Sequence, residues 1–203
     1  MAKPKILVTI SKALLSFHAS KGKNGGVLTR ALRAPINEKI EAAQKKLIED
    51  FENDPISQEI AAGPDVRDNP SGTLGGYGGL FSFIGFYRGD TPIKNITDRL
   101  SEQIFFRVKS LGFLKFEVVT DFVTKTELFN STPIPWNEGR SWLDGIEKGI
   151  SGLGQYMNSS KLLKNSRSGP GIQLQNTLRN GKFQNRAYIS KYLNEFEREI
   201  KKI

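Results

Sequence analysis

Apolar residues Leu28, Leu32, Ile36, Ile40, Leu47 and Phe51 recur with the spacing of one helix face, while Glu38, Lys39, Glu41, Lys45, Lys46, Glu49 and Asp50 fill the other sides. The pattern predicts a helix from Val27 to Asn53. Pro35 falls inside it, which suits a regular helix beginning near Ala34 with a separate turn before it, and Asn53 and Pro55 close it. A short helix is expected from Ile56 to Ala62, ended by Gly63 and Pro64. Ile96, Leu100 and Ile104 trace the apolar face of another helix after Pro92. Tyr192, Leu193, Phe196 and Ile200 do the same for a final helix from Tyr188 to Ile203. Trp136, Trp142, Leu143, Ile146, Ile150, Leu153 and Met157 suggest one more, running from Glu138. Gly139, Gly145, Gly149 and Gly152 fall within that last stretch, each costing about 1 kcal/mol relative to alanine unless close packing compensates.

Strand propensity dominates between these helices. Ile104 to Leu111, a turn at Gly112, and Phe113 to Phe129 are rich in Phe, Val and Thr, and their imperfect alternation fits one long twisted strand with a bulge or two strands meeting near Asp121. Ile172 to Leu178, followed by the Asn180-Gly181 turn signal, reads as one arm of a hairpin. The expected fold class is α+β: an antiparallel sheet with long strands packed against helices, with extended N- and C-terminal arms and a Gly/aromatic-rich loop. The expected organisation is an N-terminal arm over 1–26, an α+β body over 27–157, and a C-terminal extension over 158–203 holding the hairpin and terminal helix. HASKGKNGG reads as a hinge, and Ile6 to Phe17 before it as an arm laid on a neighbouring subunit.

Ser71 to Gly89, SGTLGGYGGLFSFIGFYRG, is the most distinctive segment. Gly72, Gly75, Gly76, Gly78 and Gly79 permit unusual backbone angles, and Leu80, Phe81, Phe83, Ile84, Phe86 and Tyr87 follow as a dense apolar run. A phosphate-binding loop needs Lys and a hydroxyl at fixed offsets, where this run has aromatics. Three readings are open: a Gly-rich turn feeding one buried strand, a loop or hairpin that packs against a neighbouring subunit, or a small-molecule site. The docking reading makes Tyr77, Leu80, Phe81, Phe83, Phe86, Tyr87, Trp136, Arg140 and Trp142 the candidate interface residues.

Composition narrows the chemistry. The 203 residues include no Cys and one His, His18, so thiolate nucleophiles, disulfides and histidine-based metal sites are excluded or starved of ligands. Asp65 with Asp68 and Glu195 with Glu199 read as solvated pairs, and Ser71, Ser82, Ser141 and Ser168 lack a histidine base and the GxSxG context. No enzyme activity, cofactor or metal is expected. The start of the chain is basic and then apolar like a signal peptide, yet Thr9, Ser11 and Lys12 interrupt it, which favours an intracellular start; no 18-residue apolar run spans a membrane. Net charge is +9 overall, with a net +6 over residues 1–50, −4 over 51–160 and +7 over 161–203. Basic ends around an acidic middle suit head-to-tail association of identical subunits, and the same ends give the alternative reading, a nucleic-acid-binding protein using its basic termini.

The segments NPSGTLGGYGGLFSFIGFYRGDTPI, PIPWNEGRSWLDGIEKGISGLGQYM and SRSGPGIQLQ resemble virion structural proteins of tailed bacteriophages, and the order of elements resembles their neck and tail-completion proteins. The resemblance covers most of residues 27–157. It implies a helix at Val27–Asn53, a loop at Ser71–Gly89 and an antiparallel strand pair across Ile104–Phe129. It also implies a head-to-tail connector subunit in a homo-oligomeric ring, assembled in the host cytoplasm. Its partners would be other neck or tail proteins, with channel DNA as an incidental contact and no membrane. The long Gly/Phe loop and the basic C-terminal extension depart from that family.

Overall fold

The computed structural model describes residues 5–6, 25–66, 71–72, 79–112, 115–135, 137–148, 155–158, 172–175 and 187–201. Helices are α1 (Gly25–Glu52), α2 (Pro55–Ala61), α3 (Leu80–Ile84), α4 (Pro92–Leu100), α5 (Lys125–Asn130), α6 (Trp142–Glu147) and α7 (Ile189–Lys201). Strands are β1 (Lys5–Ile6), β2 (Phe105–Gly112), β3 (Lys115–Asp121), β4 (Pro133–Ile134), β5 (Asn137–Ser141), β6 (Gln155–Asn158) and β7 (Ile172–Gln175). The chain divides into two compact units. Unit 1 comprises Met1–Ile48, Leu100–Thr124 and Tyr192–Ile203; unit 2 comprises Glu49–Arg99 and Lys125–Lys191.

The α+β expectation with long dominant strands is overturned. Helix predominates, and the longest strand among the described residues has 8 residues. Two local causes stand out. The Phe/Val/Thr run breaks at Asp121, and Lys125–Asn130 is helical with Leu128 turned into the core, so packing of one side chain overrides intrinsic strand preference. The predicted helix from Glu138 shrinks to α6. Gly139 has φ 85°, outside the helical region, and belongs to a β4–β5 hairpin. Ser141 then starts α6 by accepting from the Asp144 amide at 3.1 Å, a capping signal present in Ser-Trp-Leu-Asp.

Other helices follow the sequence pattern. In α1, Leu32, Ile36, Ile40, Leu47 and Phe51 are all buried, and the helix runs from Gly25 straight through Pro35 in place of the expected start near Ala34. Asp54 caps α2 by accepting from the Ile56 amide at 2.8 Å, with Pro55 at the first helical position where its missing N–H is harmless. In α4, Ile93, Ile96 and Leu100 are buried, and in α7 so are Tyr192, Leu193, Phe196 and Ile200. The expected arms lie largely outside the described residues, as do Asn180 and Gly181. Apart from the start of α1 and the terminal helix α7, their described parts include Lys5–Ile6, paired with β3 of the same chain, and Ile172–Gln175, paired with β6.

In unit 1 the sheet has the order β1-β3-β2, all antiparallel, with Arg107 opposite Val119 and Lys109 opposite Glu117. Val118 and Thr120 face the core, and Phe122 packs on Phe196 with ring centroids 4.4 Å apart. Gln44 donates to the backbone carbonyls of Leu100 at 2.6 Å and Glu102 at 2.9 Å, fastening α1 to the end of α4. In unit 2, Phe51 packs on Tyr188 at 5.3 Å, and the Tyr188 hydroxyl pairs with that of Ser57 at 2.5 Å, so a buried ring also has its polar end satisfied.

Glu147, the last residue of α6, receives the opening of α7. Its side chain is 7% exposed and accepts from the amides of Tyr188 (2.9 Å) and Ser190 (2.7 Å), the Ser190 hydroxyl (2.7 Å) and Lys125 Nζ (3.0 Å). Burial pushes its pKa up, but the Ser190 amide and hydroxyl together with Lys125 outweigh burial and hold it below the ordinary 4.5. A lowered carboxylate pKa contributes stability that is present above the unfolded value and lost as pH falls through the folded one.

Two predictions follow from these environments. Urea melts between about pH 3 and 6 should show wild type losing stability on acidification more steeply than Glu147→Gln, with the difference concentrated below the ordinary carboxylate pKa. The buried Thr120 hydroxyl has no hydrogen-bond partner among the described residues. Thr120→Val keeps its shape and removes that desolvated group, so the urea midpoint should rise by an amount equivalent to about 1 kcal/mol.

Candidate functional site

The Gly-rich segment is anchored by one acid. Glu59 lies on α2 between Ile56 and Ile60, on the helix face that points inward, and is 1% exposed. A carboxylate there is tolerable only with strong donors. Its two oxygens accept from the amides of Ser71 (3.2 Å) and Leu80 (2.8 Å). Those amides are the two feet of the Gly-rich stretch, so a single side chain brings both ends of the loop to one point. Beside the second foot, a Cβ on Gly79 would come within 3.1 Å of the Val66 carbonyl oxygen, which explains why a residue without a side chain stands there.

From Leu80 the chain turns inward. Every residue of α3 is buried, and Gly85 at φ 89° ends the helix in the left-handed conformation. The Gly85 and Phe86 amides both donate to the Phe81 carbonyl, at 3.2 and 3.3 Å, so the chain doubles back. Phe86 consequently meets Phe81 at 5.3 Å and stands edge-on to Trp142 at 5.4 Å. The next turn is also built: the Asp90 amide donates to the Tyr87 carbonyl at 3.0 Å, and the Tyr87 amide donates to the Asp90 carboxylate at 2.8 Å. Arg88 forks onto both Asp65 oxygens at 2.9 and 3.1 Å.

The nine candidate interface residues are therefore divided. Leu80, Phe81, Phe83, Phe86 and Trp142 are buried in unit 2; Tyr87 is 51% exposed and Arg140 is exposed; Tyr77 and Trp136 lie outside the described residues. Asp65 is the partner of Arg88, Ser141 is a helix cap, and Asp68, His18 and Ser168 lie outside the described residues. Among the described residues no group of three or more His, Cys, Asp or Glu could hold a metal ion, and no helix is long and apolar enough to cross a membrane. Sequence inspection missed Glu59 and Glu147, although Ile56, Glu59 and Ile60 share one helix face and so flag an inward carboxylate.

Unit 1 carries the other unusual surface. Along β2, Phe105, Arg107 and Lys109 occupy the exposed face, and Phe105 is 64% exposed, the larger of the two exposed large hydrophobic side chains among the described residues. One edge of β2 pairs with β3; among the described residues no strand pairs with the other. An unpaired edge presents a row of free backbone donors and acceptors, a ready template for a further strand.

No protein-family model, no curated protein and no solved structure matches this chain. The structure itself corrects the vocabulary taken from the phage resemblance. Virion, viral tail, neck, head-tail connector, tail completion and ring rested on three sequence segments and on an order of helix, loop and long antiparallel strand pair. The largely helical fold, with β3 ending at Asp121, does not have that layout.

The Glu59 clamp yields a direct test. Glu59→Ala leaves two buried amides without their acceptor, so unfolding stability should fall by about 2 kcal/mol or more. Hydrogen exchange at Ser71 and Leu80 should accelerate beyond what the global loss accounts for, while exchange in β2 and β3 follows the global change alone.

Proposed function

We propose that this chain is a non-catalytic assembly protein that acts by binding another protein chain through the open edge of β2. The observation that carries the reading is the combination at Phe105–Lys109: a strand edge without a partner among the described residues, beside a large aromatic ring 64% exposed. Either feature alone is commonplace. Together they match what strand-addition sites offer, backbone hydrogen bonds for affinity and exposed side chains at alternate positions for selectivity. The aromatic run at Leu80–Phe86, by contrast, is engaged in the packing of unit 2.

The test is site-directed photocrosslinking in the cells that naturally contain the protein. A photoreactive phenylalanine analogue at position 105 should give discrete protein adducts, and the same analogue at exposed Lys39 should not. Indistinguishable patterns at the two positions would overturn the reading. So would tight duplex DNA binding with a steep salt dependence that is indifferent to substitution at the β2 edge.

A further inference from the structure

Resting on the reading of β2 as a binding edge, we propose that its occupant is an acidic extended segment of a different protein, with carboxylates at alternate positions followed by an apolar residue. Residues two apart on a strand share a face, so Phe105, Arg107 and Lys109 form one exposed stripe, apolar at one end and doubly cationic over the rest. An added strand places its own alternate residues directly opposite this stripe, at Cβ separations of about 5 Å, where opposite charges attract and like charges repel.

The interior neighbours leave the Arg107 charge unanswered and set one carboxylate opposite Lys109. Across β3, Arg107 faces Val119, which carries no charge, and Lys109 faces Glu117. Among the described residues neither cation forms an ion pair, so an incoming carboxylate does not have to displace one. The match can be written as a pattern. For antiparallel addition the residues opposite Lys109, Arg107 and Phe105 come in that order along the incoming strand, giving acid, any residue, acid, any residue, apolar.

The same stripe argues against a second copy of this chain. A twofold pairing of β2 with β2 keeps the exposed faces on one side of the joined sheet. If it is centred on Arg107, on Lys109 or midway between them, cation opposes cation directly. Lysine and arginine at an edge are a known guard against self-pairing. Here the guard is selective, because what repels another β2 attracts an acidic strand.

The experiment uses the full chain and two labelled peptides containing Glu-Val-Glu-Val-Phe or Lys-Val-Lys-Val-Phe, read by fluorescence anisotropy. The glutamate peptide should bind at least about tenfold more tightly than the lysine peptide, with the preference shrinking as salt rises. The double charge reversal Arg107→Glu with Lys109→Glu should invert the preference, and Phe105→Ser should weaken the glutamate peptide without inverting it. Circular dichroism establishes that each variant is folded, and the inverted preference is itself a gain that misfolding cannot produce. Equal binding of both peptides, or no binding of either, would overturn the acidic-partner inference. Concentration-dependent dimerisation lost on Phe105→Ser would overturn it in favour of a second copy. The position-105 crosslinks separate this failure from that of the broader reading: discrete protein adducts with no acidic preference leave the edge a binding site of other chemistry, and their absence removes both.

Discussion

Burying a carboxylate is among the most unfavourable single acts in folding, and unit 2 is organised around doing so at Glu59. The acid is tolerated because two backbone amides converge on it, and those amides belong to residues nine positions apart, Ser71 and Leu80. The second contact falls on the first residue of α3. All five residues of that helix are inside, and the left-handed Gly85 then returns Phe86 onto Phe81 and Trp142. Were the loop feet free, the aromatic run would have no fixed origin from which to pack.

Glu147 repeats the device with a different result. It closes the gap between α6 and the first residues of α7, answering the Tyr188 and Ser190 amides that the helix start leaves without intrahelical partners. Lys125 joins from α5, so one carboxylate touches three helices. Unit 2 thus adds long-range acid-to-backbone ties to the local caps that Asp54 and Ser141 give α2 and α6. The acidic middle of the chain is in this respect partly structural: Asp54, Glu59, Asp90 and Glu147 all hold backbone amides.

What the sequence could reveal depended on whether the deciding interaction was local. The inward face of α1 and the stripe of α7 are set by neighbours three and four residues away and were legible, whereas Pro55, read only as the end of α1, opens α2 behind Asp54. The helix at Lys125–Asn130 was not, because its strand-like composition is overruled by the burial of Leu128, a tertiary event. The β4–β5 hairpin was hidden by apolar residues at helical spacing, although Gly139 offered the contrary signal. The aromatic run posed a deeper ambiguity. A core and an interface select the same side chains for the same reason, exclusion of water, so density of Phe and Leu cannot say which one a segment serves. Conversely, Phe105 sits in an ordinary-looking strand, and only its exposure, on an edge unpaired among the described residues, sets it apart.

Unit 1 is gathered from three separated stretches of chain, and this imposes an order on its making. A ribosome delivers α1 first and the β2–β3 hairpin well afterwards, while Tyr192, Leu193, Phe196 and Ile200 come later still. Until they emerge, Phe122 has no Phe196 to meet and the growing polypeptide displays an unfinished apolar surface. Unit 1 is therefore completed only after unit 2 has been synthesised. The exposure of that surface during synthesis is set by the route of the backbone and not by the strength of any one contact.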